Sequence, residues 1–189
     1  MLSSYQVRPL ESMSKDAMLA YHEVDLKTRR TIQPELGDLA LGQVVNVGDK
    51  IATLLISMIF RIQREGELNR LVILRPPPPT HANIFKGDVS FPCVNLVDII
   101  KTGDIILGRV KIAWFKPIFM SLDTEETGVV SGLCSNCGLV IPTPCDLSKQ
   151  TLICPRCGGS RKTKISKLYN PMLWREIYHI NRVRTLPPL

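Results

Sequence analysis

Short apolar stretches with strand character recur along this chain, separated by glycine, proline and charged residues. Residues 52–62 (ATLLISMIFRI) are rich in β-branched and apolar side chains, and residues 84–91 and 118–122 have the same character. None of these stretches reaches the eighteen or more consecutive apolar residues of a membrane span. The pattern therefore predicts a mostly β protein built from several short strands, with no membrane segment.

An internal repeat extends this prediction. The segment 37–44 (GDLALGQV) returns 66 residues later as 103–110 (GDIILGRV). Each copy is a Gly-Asp turn followed by an apolar strand with a glycine in its middle, a position that commonly marks a bulge or a tight bend. We expect the two copies to be the first and fourth strands of one five-stranded OB-type barrel, with the stretches above supplying the other three.

Three other segments leave alternatives open. Residues 71–74 (LVIL) predict an additional hairpin strand, and residues 94–100 predict either a linker or a helical turn. Residues 170–184 predict a helix with Asn170 as its N-cap and Pro171 at its first position. Because this helix has an aromatic and apolar face, it either packs on its own barrel or docks a partner.

Two cysteine pairs carry the clearest chemical signal. Cys134 and Cys137 form one C-x2-C pair, and Cys154 and Cys157 form a second pair after sixteen intervening residues. This spacing predicts a zinc ribbon in which four thiolates close a tetrahedral shell. A redox pair, disulfides or coincidence are the alternatives, and the lack of a signal-peptide pattern argues against disulfides. Because a closed shell leaves no position for water or substrate, the predicted zinc is structural.

The order of these features divides the chain into four parts. Residues 1–36 have no clear pattern and form either a docking segment or an arm. The OB-type barrel spans residues 37–127, and the zinc ribbon follows directly at residues 128–168. A basic, amphipathic extension with the short helix completes the chain at residues 169–189.

Positive charge is concentrated towards the C-terminal end. The formal net charge of the chain is +7, and residues 159–189 hold seven Lys and Arg against one Glu. Such an end attracts either a polyanion such as RNA or an acidic protein surface. The candidate RNA-binding cations on the barrel and ribbon are Lys50, Arg61, Lys86, Arg109, Lys111, Arg161, Lys162 and Lys164. Phe60, Phe85 and Phe91 are either stacking platforms for bases or core residues.

The motifs of the common enzyme classes are missing from this sequence. It has no phosphate-binding glycine loop, no nucleophile elbow and no HExxH motif. Its three histidines are scattered along the chain. The acidic cluster at residues 123–126 suits a loop better than a magnesium site. We therefore expect a binding protein and not an enzyme.

One known family combines the same features in the same order. Residues 85–87 (FKG), the second Gly-Asp strand, residues 120–122 (MSL), residues 128–130 (GVV), both cysteine pairs and residues 161–165 (RKTKI) follow one another. In this the chain resembles the Csl-type cap subunits of the RNA exosome, which carry an S-one-type RNA-binding barrel and a C-terminal zinc ribbon. The resemblance covers residues 37–168.

This resemblance implies a non-catalytic subunit that binds single-stranded RNA. Its partners would be the ring and cap subunits of the exosome, and it would help to stabilise the ring and guide RNA into it for 3′–5′ degradation and processing. It would be cytoplasmic, and also nuclear or nucleolar in a eukaryote. Residues 1–36 depart from the family pattern, which opens with a small β-domain, and the C-terminal extension 168–189 is longer than that pattern requires, so the resemblance does not assign docking to either end. The alternative is a transcription- or ribosome-associated factor built from the same two modules.

Overall fold

The structure is a computed structural model that describes residues 33–65, 68–74, 76, 79–114, 116–142 and 149–183. Most of the segment 1–36, with its two alternative interpretations, lies outside these residues. No helix within the described ranges is long and apolar enough to cross a membrane.

Nine strands and two helices make up the described part of the chain. In order they are β1 Leu39–Val47, β2 Ile51–Glu65, β3 Leu68–Leu74, β4 Thr80–Val89, α1 Leu96–Ile99, β5 Ile105–Ile112, β6 Ile118–Leu122, β7 Gly128–Ser131, β8 Thr151–Ile153, β9 Ser160–Lys162 and α2 Pro171–Val183.

Five of these strands close into a barrel. β1 pairs with β2 and β5, β2 pairs with β4, and β6 joins β4 to β5, so that the ring runs β1-β2-β4-β6-β5. β3 pairs with the far end of β2 as an extra hairpin strand, and β7 adds to β5. The mostly β class, the five-stranded barrel and the extra hairpin strand are therefore confirmed.

The barrel interior is filled by apolar side chains from alternate positions of its strands. The buried set includes Ala40, Val44, Leu54, Ile84, Ile106, Val110 and Met120. β4 starts at Thr80, four residues before the strand expected from the sequence at residue 84. The first outward-facing residues of this strand are His81 and Asn83. Because both are polar, the composition does not identify this part of the strand.

The two copies of the repeat lie side by side as β1 and β5, which confirms them as the first and fourth barrel strands. The Gly-Asp turn at 37–38 exchanges two backbone hydrogen bonds with Val110, and the turn at 103–104 exchanges two with Val44, all of 2.8 to 2.9 Å. Gly37 and Gly103 have φ of +90° and +89°. These matching contacts relate the two copies by a local two-fold axis. Because β1 and β5 are antiparallel, the two turns lie at opposite ends of the strand pair.

Helix α2 covers one outer face of the barrel. Trp174, Ile177 and Tyr178 are buried against it, and the ring of Trp174 meets Phe60 edge-on at 5.9 Å. The helix starts as predicted, with the Asn170 side chain accepting a hydrogen bond from the N–H of Leu173 at 3.2 Å. Of the two interpretations of its apolar face, packing on its own barrel is confirmed.

The ribbon begins without a linker, because β7 is still paired with β5. β8 and β9 form a separate two-stranded sheet, and a parallel bridge joins Val129 of β7 to Ile165. Leu152, Ile141 and Ile165 form a small buried cluster with the cysteines. Among the described residues, the ribbon therefore has little apolar core of its own.

Candidate metal centre and open barrel face

Each cysteine pair lies on a tight turn, and the two turns have matching backbone hydrogen bonds. The N–H of Cys134 donates to the carbonyl five residues later at 2.8 Å, and the carbonyl of Cys134 accepts from the N–H of Gly138 at 3.0 Å. Cys154 and Gly158 repeat both bonds at 2.8 and 3.0 Å. The two glycines have φ of +69° and +70°, which glycine adopts without steric cost.

The two turns bring all four sulfurs together. The Sγ atoms lie within 4.8 Å of one another, with Cys134 to Cys157 and Cys137 to Cys154 both at 3.5 Å. A tetrahedral zinc with Zn–S bonds of about 2.3 Å requires sulfurs about 3.8 Å apart. The cluster is therefore close to the size that a metal ion needs, and the four predicted ligands can hold one.

Backbone dipoles and neighbouring sulfurs set the charge of this cluster. The N–H groups of Cys137 and Asn136 point at the Cys134 sulfur and lower its pKa to about 6. The N–H of Gly159 lowers the pKa of Cys157, but the neighbouring Cys134 sulfur and burial raise it overall to about 12. Four adjacent thiolates repel one another, so a bound cation is what allows all of them to ionise.

Two of the predicted RNA contacts lie in ion pairs within the protein. Arg161 is buried, and its guanidinium binds both carboxylate oxygens of Asp104 at 2.7 and 2.8 Å. Arg61 binds Asp38 through two hydrogen bonds of 2.9 and 2.7 Å, and Glu35 at 2.7 Å. The Asp38 hydrogen bond raises the pKa of Arg61. Because both guanidinium groups are held in buried or half-buried ion pairs, they are poorly placed to contact RNA.

The other predicted cations lie at separate places. Lys50 and Lys86 line one shallow groove, whereas Lys111 is exposed and bonded to Asp88 at 2.6 Å. Arg109 is half-buried on β5.

On the ribbon, Lys162 is exposed and points away from the barrel, because its neighbour Arg161 points towards it. Lys164 is half-buried beside β7. The eight predicted residues therefore do not form one surface.

The groove beside Lys50 and Lys86 carries an exposed aromatic pair. Phe85 on β4 is 38% exposed and stacks on Phe119 of β6, with ring centroids 5.3 Å apart and planes 14° from parallel. Ile51 of β2, the direct cross-strand neighbour of Phe85, extends this apolar strip. The strip lies on the barrel face that α2 leaves open.

The other predicted stacking residues differ from Phe85. Phe60 is 2% exposed and packs under α2, so its prediction as a stacking platform is wrong and the core alternative is right. Phe91 lines the groove but is half-buried against the barrel core. Of the three candidates, Phe85 alone has both a stacked partner and a large exposed fraction.

Comparison with known proteins bears on these features. No protein-family model matches the chain. The chain is 32% identical over 146 residues to the exosome complex component Csl4 of Archaeoglobus fulgidus, across 75% of this chain and 71% of that protein. This chain belongs to the Csl4 family. The barrel and the four-cysteine cluster described above agree with the S-one-type barrel and zinc ribbon that the sequence order implied.

Three further residues contribute to the sites of this Csl4-family chain. Phe119 completes the aromatic pair, and its alternation with buried Ile118 and Met120 was a usable signal. Asp104, in the second Gly-Asp turn, is fully buried. Tyr169 donates to the carbonyl of Ile141 at 2.6 Å, and burial raises its pKa to about 12. Asp104 and Tyr169 form contacts with residues far away in the sequence, which a local sequence pattern does not predict.

Proposed function

We propose that this Csl4-family protein is a non-catalytic, RNA-binding cap subunit of the RNA exosome that stabilises the ring and guides single-stranded RNA into it. The relationship to an exosome complex component supports the assembly, and the open aromatic face of the barrel supports RNA as the ligand. The division into a barrel, residues 37–127, and a ribbon, residues 128–168, is part of this proposal. So is a cytoplasmic location, with a nuclear or nucleolar one in a eukaryote.

The ribbon, in this proposal, holds one structural Zn²⁺. The donor set is four cysteine sulfurs, which favours zinc over the hard cations that prefer oxygen ligands. Bound zinc would stabilise a small module that has few buried apolar residues in its described part. With all four ligand positions taken by the protein, the metal has no place for a substrate, which is consistent with a binding role.

A single observation carries the RNA assignment: the Phe85–Phe119 stack lies next to Lys50 and Lys86 on the barrel face that α2 does not cover. A base can stack on the exposed side of Phe85 while the two ammonium groups reach the phosphates on either side. The Lys86 ammonium donates to the carbonyl of Val94, which holds it at the rim of the groove. The geometry suits sequence-tolerant contact, because a stacked ring accepts any base.

The test is the affinity of the full-length, zinc-loaded chain for a labelled single-stranded RNA. Stacking on one aromatic contributes about 1–3 kcal/mol, so Phe85→Ala should weaken binding by about 5- to 150-fold. Met172→Ala is the control, because Met172 is 73% exposed on α2, on the covered side of the barrel. Equal affinities of the two variants would contradict the proposed RNA surface.

Salt dependence separates the charge contribution from stacking. Each phosphate neutralised on a single strand contributes about 0.7 to the slope of log affinity against log salt. Lys50→Ala with Lys86→Ala should lower that slope by roughly 1.4, whereas Phe85→Ala should leave it unchanged.

Affinity purification from native lysate tests the assembly. Ring subunits of the exosome should accompany the protein. Recovery of polymerase or ribosomal proteins in their place would favour the transcription- or ribosome-associated alternative.

A further inference from the structure

The carboxylate of Asp104, on the barrel, contacts both halves of the cysteine ribbon. Its Oδ1 accepts a hydrogen bond of 2.9 Å from the N–H of Leu133, the residue directly before Cys134. The same oxygen accepts a hydrogen bond of 2.7 Å from the guanidinium of Arg161, four residues after Cys157. One barrel side chain therefore contacts the residue directly before the first cysteine turn and a residue four positions after the last cysteine of the second turn.

The surroundings of Asp104 fix its position. Its Oδ2 accepts hydrogen bonds from the guanidinium of Arg161 at 2.8 Å and from the N–H of Lys101 at 2.9 Å. Arg161 in turn donates to the carbonyl of Ile99 at 3.2 Å. Asp104 is fully buried, so its charge depends on these donors for stabilisation. The carboxylate and the guanidinium therefore have little freedom to move apart.

The repeat supplies an internal comparison. Asp38 occupies the same place in the first copy, is also buried, and also binds an arginine through both oxygens. It likewise accepts from a backbone N–H three residues earlier, that of Glu35, at 2.8 Å. Its arginine, Arg61, comes from β2 of the same barrel. Among the described residues, contact with the ribbon is thus what distinguishes Asp104 from Asp38.

We propose that Asp104 is a positioning residue for the metal centre: from the barrel, it links the two ribbon segments that flank the cysteine turns, and a bound metal would join the turns themselves. This inference rests on the proposed zinc site. A pre-assembled ligand set binds metal more tightly, because less chain has to be ordered when the ion arrives. The barrel thereby raises the metal affinity of a ribbon that has little core of its own.

Tyr169 supports the same arrangement from a second direction. Its hydroxyl accepts from the N–H of Gly132 at 3.3 Å and donates to the carbonyl of Ile141 at 2.6 Å. These two residues flank the first cysteine turn. The base of that turn is consequently held by Asp104 and Tyr169 together, before any ion contributes.

The test compares Asp104→Asn with Asp38→Asn in the full-length chain. Zinc affinity is measured by competition with a chromophoric chelator, and stability by urea unfolding at saturating zinc. Both variants should lose stability, because both break a buried ion pair. Zinc affinity should fall about 10-fold in Asp104→Asn alone, the lower end of the range of about 10- to 100-fold for groups bonded directly to metal ligands, because Asp104 bonds to a neighbour of a ligand. Equal zinc affinity in the two variants would overturn the inference.

Two further measurements apply if Asp104→Asn does not fold. Arg161→Met removes the ion pair from the ribbon side and should weaken zinc binding to a similar degree. In the wild-type chain stripped of metal, the amide hydrogen of Leu133 should remain protected from exchange, because Asp104 still accepts it. Unchanged zinc affinity in Arg161→Met, or free exchange at Leu133, would refute pre-assembly by the barrel. A wild-type chain that binds no zinc would instead refute the metal site itself, and this inference with it.

Discussion

Replacement of Trp174 by alanine should destabilise the barrel. Trp174 is 3% exposed, meets Phe60 edge-on at 5.9 Å, and donates its indole N–H to the carbonyl of Leu168 at 2.7 Å. It belongs to the buried apolar cluster between α2 and the outer face of β1, β2, β5 and β7. Without it, that face is left with a cavity lined by apolar side chains.

The size of the effect follows from this burial. Truncating a buried tryptophan to alanine costs about 3–5 kcal/mol, a range that includes the lost packing and the cavity. A total of about 4 kcal/mol is a large part of the 5–15 kcal/mol that typically stabilises a domain. For a chain of this length it corresponds to a fall in Tm of about 8–16 °C.

Urea unfolding followed by circular dichroism, at a fixed zinc concentration, measures the change. Met172→Ala on the same helix is the matched control, since Met172 is 73% exposed, and it should stay within about 0.5 kcal/mol of wild type. If Trp174→Ala unfolds at the control's urea concentration but releases the exosome ring in affinity purification, the packing argument fails. Docking through this helix face would then be the correct interpretation.

Two other predictions concern the metal and the first Gly-Asp turn. Cys154→Ser should abolish bound zinc in elemental analysis of the pure protein, whereas Cys93→Ser, outside the cluster, should retain it; zinc retained by both would disprove the ligand assignment. Arg61→Met should lower the free energy of unfolding by about 3 kcal/mol, because it leaves the carboxylate of Asp38 buried without its partner. A loss no larger than that of the exposed Lys162→Met would show that the pair contributes little.

Some features of this protein were predictable because short segments determine them. The C-x2-C spacing followed by glycine is a local signal of a metal-binding turn, so Cys134 and Cys154 could be assigned as the starts of two such turns. The start of α2 is equally local, since Asn170 caps the N–H of a residue three positions later. The repeat identified two barrel strands because the same turn chemistry launches each of them.

The aromatic residues show where local pattern stops being sufficient. Phe60 and Phe85 both point outward from barrel strands, so the alternation of side chains along a strand predicts the same outer position for each of them. They differ because α2, more than a hundred residues after Phe60, packs over one face and leaves the other open. Only the folded arrangement therefore distinguishes a core phenylalanine from a candidate base-stacking one.

The basic residues show the same difference between what the sequence predicts and what the tertiary structure decides. The sequence by itself determined that this chain is basic and mostly β, with four cysteines able to share a metal ion. Which cations are available to a ligand depended on distant partners: Asp104 meets Leu133 and Arg161 across 29 and 57 residues. Charge counts treat Arg161 and Lys162 alike, but adjacent strand residues face opposite sides. Tertiary structure therefore buried one in an ion pair and left the other exposed to solvent.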